Sequence, residues 1–465
     1  MVVELLRFEA PLEKMLIFNG TILTLDADTT VIPNGALYYE GDAIVEVGPT
    51  GRLLARYGQA DTLDAQGRLV MPGNICAHTH FYGAFARGMA IPGEPPPDFP
   101  AILEQLWWKL DRALTPEACQ ASAAVALVDA IRHGTTTLID HHASPSAIGG
   151  SLDALSEAVI QAGLRVGLCY EVSDRNGLAG AAAGIDENVR WLQKIKSLRK
   201  AGAQESERLG ASFGLHASFT LSDETLQKCI AAVDDLDCGF HIHLAEDMAD
   251  ERHSLQHYGI RTAERLARHG ILGDRTLVAH CVHVTEAEMD ILANTKTLVS
   301  HQPRSNMNNA VGVAPIEALL QKGVTVGLGN DGFSNNMFTE MATCYLLHKV
   351  HQGDPRVMGA DAVLEMSYQN NARIAALFFP KPVGVLAPGA YADIILLDYF
   401  PYTPLTDENY PWHAIFGLDG SYVTHTICHG QMLMQDRVLL SVDQEAIAAK
   451  AKDLSVQVWE RAAAL

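Results

Sequence analysis

From Met15 to about Leu69, apolar and polar positions alternate in short runs broken by Asn19-Gly20, Pro33-Asn34-Gly35 and Gly41-Asp42. Alternation with period two between turn formers predicts antiparallel strands with helix almost absent. The same texture returns after Pro382, in Gly384-Val-Leu-Ala-Pro-Gly, Ala392-Asp-Ile-Ile-Leu-Leu-Asp and Tyr422-Val-Thr-His-Thr-Ile. Two sheet-forming ends around a different middle predict one small β-sandwich domain built from both termini, residues 1–70 and 383–465, the latter ending in a helix.

Between Met71 and Phe379 short apolar segments alternate with amphipathic ones. Strands are expected near Leu69 to Cys76, Thr135 to Asp140, Arg165 to Tyr170, Ser212 to His216, Phe240 to Leu244, Thr276 to Ala279, Thr297 to Ser300 and Val324 to Leu328. Helices fit the gaps, for example Pro116 to His133, Ser222 to Asp234, Arg261 to His269 and Ala360 to Ala376. Eight such units predict an α/β fold, a (β/α)8 TIM-like barrel over residues 71–382. His78, Asp140, Asp174, His216, His243, His280, His301 and Asp331 fall where strands end, the face on which barrels do chemistry.

Composition narrows the class. The 465 residues are 48% hydrophobic and 19% charged, which suits a large core and not a disordered chain. Thirty-four Lys and Arg against 55 Asp and Glu give a formal charge of −21, which disfavours nucleic acid and anionic membranes as partners and suits a small, uncharged substrate. Eight scattered cysteines without C-x-x-C spacing argue against a disulfide framework or a zinc knuckle. With neither a signal-peptide pattern nor a membrane-length apolar run, the expectation is a cytoplasmic protein, in which residues before Met15 are a tail or an upstream start.

The chemistry lies in histidines and carboxylates at strand ends. His78 and His80, two apart at the end of a strand, point to the same side and can share one metal ion. Alone the pair is weak, since 19 histidines produce about one such spacing by chance. In Phe240-His-Ile-His-Leu-Ala-Glu246, His243 is nearer the strand's end and reads as a third ligand, with Glu246 as a proton carrier and His241 as a hydrogen-bonded core residue. Asp331 would read by itself as a turn or cap residue, but it closes the barrel after both histidine strands. It thereby completes three nitrogens and one oxygen with room for water.

These residues carry a family resemblance. Pro72-Gly with His78-x-His80, His216-Ala-Ser-Phe-Thr, His243-x-x-Glu246, Ala279-His280-Cys, His301-x-Pro-x-Ser-Asn306 and Gly329-Asn-Asp331-Gly resemble, in order, the amidohydrolase superfamily. The similarity is to its aminohydrolase branch, which includes atrazine chlorohydrolase, S-adenosylhomocysteine deaminase and guanine deaminase. Phe81-Tyr82, Leu106-Trp-Trp-x-Leu-Asp-Arg-Ala-Leu114, Asp140-His-His-Ala-Ser-Pro145 and Ser305-Asn-Met-x-Asn-Ala-Val-Gly312 bring it nearest the SsnA-type aminohydrolases. Gly384-x-Leu-x-x-Gly389-x-x-Ala392-Asp393 fits the family's mixed β domain. Two departures matter. The fourth strand end carries His216 where two-metal relatives carry a bridging lysine, which favours one metal, and Asn330-Asp331 stands where many relatives have Thr-Asp.

The resemblance implies one divalent ion, zinc first and iron second, held by His78, His80, His243 and Asp331. It also implies deamination of an amino-substituted nitrogen heterocycle of purine, pterin or triazine type by a metal-activated water. Asp331 is expected to take the water proton, Glu246 to protonate the ring, and His280 to polarise the reacting centre. Trp108, Arg175, His216, His301 and Asn306 are the expected substrate contacts, with Phe81 and Tyr82 as further aromatic candidates and His141 and His142 as weaker ones. Ring-amide or carbon–halogen hydrolysis at the same centre is the rival reaction, and a non-catalytic barrel scaffold is the rival class. A homodimer or larger homo-oligomer is expected.

Overall fold

Residues 14–26 and 29–465 are described by a computed structural model; the expected tail before Met15 falls, but for Lys14, outside these residues. The middle of the chain supplies two parallel sheets. One contains Asn74–Thr79, Thr135–Asp140, Arg165–Leu168 and Leu209–Ala211, and the other Phe213–Ala217, Phe240–Leu244, Leu277–His280, Leu298–His301 and Val326–Leu328, each in chain order. Only Ser212 separates Leu209–Ala211 from Phe213–Ala217. All of these strands are buried almost throughout, as apolar runs covered on both faces must be.

The two sheets meet at both seams. A parallel bridge joins Val172 to Leu215 at one, and another joins Thr79 to Asp331 at the other. At the second seam the Asp331 amide donates to the His78 carbonyl at 3.1 Å, and the His80 amide donates to the Asp331 carbonyl at 2.8 Å. Gly329 is required there, because a Cβ on it would lie 2.7 Å from the backbone of His78.

Two expectations need correction. The run from Leu69 to Cys76 is two strands: Leu69–Pro72 pairs antiparallel with Ile394–Leu397, and the chain turns at Gly73 into Asn74–Thr79. A side chain at residue 73 would collide with Thr136, its Cβ 2.2 Å from the threonine hydroxyl. The helix expected over Ala360 to Ala376 has a π segment, Glu365–Asn370, between Ala360–Leu364 and Asn371–Ala375. Its asparagines are tied to strands: Asn370 donates to the Val326 carbonyl, while Asn371 donates to the Ile75 and Leu328 carbonyls and accepts from the Leu328 amide. Those anchors give the extra residue per turn a cause.

The helices begin where their caps stand. Thr115 accepts from the Ala118 amide ahead of Pro116–Arg132, and Ser222 accepts from the Thr225 amide ahead of Asp223–Val233.

Both ends of the chain share one nine-stranded sheet. Its order is Val438–Leu439, Gln431–Gln435, Val423–Cys428, Ile394–Leu397, Leu69–Pro72, Lys14–Leu23, Val31–Glu40 and Ala43–Pro49, with Asp61–Asp64 also paired to Lys14–Leu23. One helix, Thr50–Tyr57, interrupts the strands expected there, and its Leu53 packs with Leu16, Ala36 and Tyr38. The last helix, Gln444–Ala463, is tied back by Trp459, whose indole donates to the Phe85 carbonyl at 2.7 Å. Among the described residues no helix is long and apolar enough to cross a membrane.

Candidate active site

His78 and His80 end the strand Asn74–Thr79 on one face, and the ends of the strands Phe240–Leu244 and Val326–Leu328 bring His243 and Asp331 to them. Asp331 Oδ1 lies 3.5 Å from His78 Nε2 and 3.0 Å from His80 Nε2, and His80 Nε2 lies 3.2 Å from His243 Nε2. The outer ring nitrogens are already engaged. His80 Nδ1 donates to the His141 carbonyl, His243 Nδ1 donates to the His216 carbonyl at 2.9 Å, and His78 Nδ1 meets His241 Nε2 at 2.9 Å. A neutral imidazole has one N–H, so His80 and His243 turn lone pairs toward each other. That contact needs a proton or a cation between them. His78 Nε2 is buried without a hydrogen-bond partner and faces the same space. Three imidazole nitrogens and a carboxylate oxygen are the donor set of a zinc-type site, and their outer nitrogens are oriented as ligating histidines are. The residues fit a divalent ion.

Electrostatics agree. Burial would lower His80, but Asp331 outweighs it and raises the imidazole to about 9, so a positive charge belongs in this cage. Burial takes His78 down to about 3 and His243 well below its usual range. Burial would raise Asp331, yet the adjacent His78 and His80 imidazoles hold its carboxyl well below the usual value. The backbone is shaped for this: Ala245 (φ 48°), His280 (φ 75°), Cys281 (φ 55°) and Asp331 (φ 59°) are non-glycine residues in the left-handed region at three strand ends. Such conformations cost of order 1 kcal/mol or more and concentrate at functional sites.

Beside the cage, Glu246 Oε2 lies 3.4 Å from His280 Nε2, and Glu246 Oε1 accepts from Asn309 Nδ2 at 3.4 Å. Burial, followed by the charge of Asp331, pushes the Glu246 carboxyl well above its usual range. His280 Nδ1 meets Asn306 Oδ1 at 2.9 Å, which leaves Nε2 directed at the same space. Ser305 donates to Asp331 Oδ2.

An open cavity of about 780 Å³, counted with its mouth, reaches this cluster. His80, His243, Glu246 and Asp331 form its polar floor, and Tyr82, Phe99, Leu103, Trp107 and Trp108 line an apolar wall. Of the expected substrate contacts, Trp108, Arg175 and His216 line it; His301 and Asn306 do not. His301 turns to His348, with 3.2 Å between Nε2 atoms, and Asn306 is occupied by His280, so both stand behind the cavity and not in it. Arg175 is not free to meet an anion outright: it is paired with buried Asp111 beside the Trp108 ring. Asp174 points elsewhere, accepting from the Ser222 amide and Thr225 hydroxyl at a helix start. His141 stacks on His241 with centroids 4.4 Å apart, and His142 meets the Ser144 hydroxyl at 2.9 Å.

Glu171 was not expected. It lies 3.3 Å from His80 Nδ1 and 3.4 Å from His141 Nδ1, lines the cavity, and is raised to about 7 by burial against the pull of His80 and Arg175. A carboxylate inside the apolar run from Val166 to Val172 was its available signal. Asp111 is a buried polar residue on a helix, following Trp107 and Trp108 in sequence. Its partner is 64 positions away, and no local pattern could name it.

Comparison with known proteins places this geometry. Residues 69–433 match the Amidohydrolase family. Curated relatives include a 5-methylthioadenosine/S-adenosylhomocysteine deaminase of Nitratidesulfovibrio vulgaris, 34% identical over 96% of this chain and 98% of that one. A 5'-deoxyadenosine deaminase of Methanothermobacter thermautotrophicus is 31% identical over 96% of this chain and 99% of that one. Among solved structures, an adenosine deaminase from Xanthomonas campestris with bound zinc has a TM-score of 0.83 at 23% identity, covering 96% of this chain and 98% of that one. That last likeness shows the fold, an α/β protein with a TIM-barrel domain. From family match and relatives together, the chain belongs to the amidohydrolase family.

Proposed function

We propose that this protein is a metal-dependent aminohydrolase that removes the exocyclic amine of an adenine-type nucleoside. The observation that carries the reading is the cage of His78, His80, His243 and Asp331 beside Glu246 at the floor of a cavity with an aromatic wall. In this reading the four residues hold one divalent ion, zinc before iron. The ion would supply Lewis acidity, bringing the pKa of a water toward neutrality.

The chain's own groups do the rest. Asp331, kept ionised by His78 and His80 and held by Ser305, accepts the proton of the attacking water. Glu246 delivers its proton to the ring nitrogen beside the attacked carbon. His280, fixed through Nδ1 by Asn306, steadies that carbon's substituents through Nε2. Trp108 gives the base a face to lie on, and His216 and Arg175 border the sugar side; His301 and Asn306 act from behind. The apolar residues Phe99 and Leu103 suit a 5' end without charge, as in 5-methylthioadenosine and 5'-deoxyadenosine, two of the substrates for which those relatives are named.

The same reading treats the two parallel sheets as one closed barrel over residues 71–382, and residues 1–70 with 383–465 as a β sandwich around it. It also keeps the cytoplasm and a homo-oligomer. The test is ammonia release by metal-quantified protein from 5'-deoxyadenosine, 5-methylthioadenosine and adenosine, with guanine, pterins and triazines alongside. Conversion of an adenine nucleoside to its 6-oxo product is expected. Halide release or ring opening without ammonia would overturn deamination in favour of the rival hydrolysis.

A further inference from the structure

Behind the cavity is a cluster that shares no residue with the cage. His301 ends the strand Leu298–His301, and Cys344 and His348 stand four apart on one side of the helix Met337–Gln352. All three side chains are buried, and their candidate ligand atoms lie within 4.8 Å of one another. On the same helix Leu346 and Val350 are exposed, so the cysteine and histidine belong to the face turned inward.

The ring orientations leave room for an ion. His348 Nδ1 lies 3.3 Å from Glu317 Oε2, which fixes its N–H there and leaves a lone pair on Nε2. That lone pair faces His301 Nε2 at 3.2 Å. Two nitrogens each about 2.0–2.1 Å from a tetrahedral ion stand about 3.4 Å apart, close to this separation. A carboxylate behind a ligating histidine is the usual outer support of such sites.

We propose that His301 Nε2, Cys344 Sγ and His348 Nε2 bind a second transition-metal ion of zinc type, with Glu317 orienting His348 and a water in the fourth position. On binding, the Cys344 S–H bond breaks, its proton passes to bulk water and the sulfur's electron pair goes to the ion. Burial and then Glu317 and Glu340 push the free thiol well above its usual range. The ion would pin a helix to the strand end that leads into Pro303–Asn308. That short helix carries Ser305 and Asn306, which hold Asp331 and His280. This second site steadies the cage from behind without touching substrate.

Full-length protein produced in zinc-depleted, cobalt-supplemented medium tests the assignment through metal content and the thiolate-to-cobalt charge-transfer absorption. The first cage contains no thiolate, so it cannot give that band. Two ions per chain and the band are expected, with the band retained in Cys169→Ser, which controls for the other buried thiol near histidines, and lost with one ion in Cys344→Ser. His78→Ala should lose one ion and keep the band. Absence of a thiolate band in unmodified protein that binds cobalt would overturn the second site, whether or not Cys344→Ser folds. So would a band that survives Cys344→Ser and vanishes in Cys169→Ser. One ion accompanied by a Cys344-dependent band would support this site and fail the first cage instead.

Discussion

At the scale of single residues, the cage depends on atoms outside its ring of donor groups. His241 is the clearest case: its Nε2 sits 2.9 Å from His78 Nδ1, so it decides which nitrogen of His78 faces inward. Replacing it with phenylalanine keeps the ring and removes the acceptor. His241→Phe should weaken metal binding by about 10–100-fold, measured by competition with a chelator, while turnover per bound ion changes little. Glu246 has the opposite signature. Glu246→Gln keeps the Asn309 side of the contact but has no proton to deliver, so kcat should fall by about 10²–10⁴ with metal content unchanged. Near-normal turnover would remove Glu246 from the chemistry. Much of this cage is legible in the sequence because period-two spacing along a strand encodes direction, so His78-x-His80 and His243 can be read as inward-facing. His301 and Asn306 show the limit. A strand-end position says which end of the barrel a side chain occupies, but not whether it turns to the cavity or to the helices behind.

At the scale of elements, the pattern of apolar runs located the parallel strands to within a few residues, since strands buried on both faces read as continuous hydrophobic segments. It missed the break at Gly73 because Leu69–Pro72 and Asn74–Thr79 are both apolar and nothing in their composition says which sheet each joins. The π segment was equally hidden: Asn370 and Asn371 look like ordinary helix residues until the strands they anchor are known. Helix ends were easier, because caps are local. Helix Pro116–Arg132 ends at His133, whose Nδ1 lies 3.3 Å from Asp129 Oδ1 one turn earlier. Burial would lower His133, but the hydrogen bond and charge of Asp129 outweigh it and raise the imidazole above its ordinary value. A group raised on folding stabilises the fold fully below its unfolded pKa, about 6.5, and loses that contribution as pH rises through the folded value. The stability gap between the unmodified protein and His133→Gln should therefore be widest below the unfolded value and narrow as the pH rises through the folded one. Urea unfolding at a series of pH values reads it, and a gap that grows with pH would contradict the ion pair.

At the scale of the molecule, the terminal sheet and the parallel strands are joined by a buried ion pair that neither segment predicts alone. Arg165, at the start of the strand Arg165–Leu168, contacts Asp393 through Nε at 3.2 Å and Nη2 at 3.1 Å, across 228 positions of sequence. Both side chains are almost wholly inaccessible, at 0% and 2%. The guanidinium lies 3.6 Å from the Tyr391 ring centroid, and Asp393 also accepts from the His429 amide at 2.8 Å. The planar, two-point geometry explains why an arginine stands here, since a lysine would offer a point charge and no face for the ring. In a buried pair, desolvation of two charges offsets much of their attraction, but removing one partner strands the other. Arg165→Ala should then cost about 3–5 kcal/mol of unfolding free energy, most of it from an uncompensated Asp393. The double variant Arg165→Met with Asp393→Leu removes both charges and keeps volume, so it should recover most of that loss. Chemical denaturation of the two proteins separates the possibilities. If the double variant is as unstable as Arg165→Ala, the pair contributes through its contacts to Tyr391 and the His429 amide, and the joint between the two sheets depends on its geometry more than on its balance of charge.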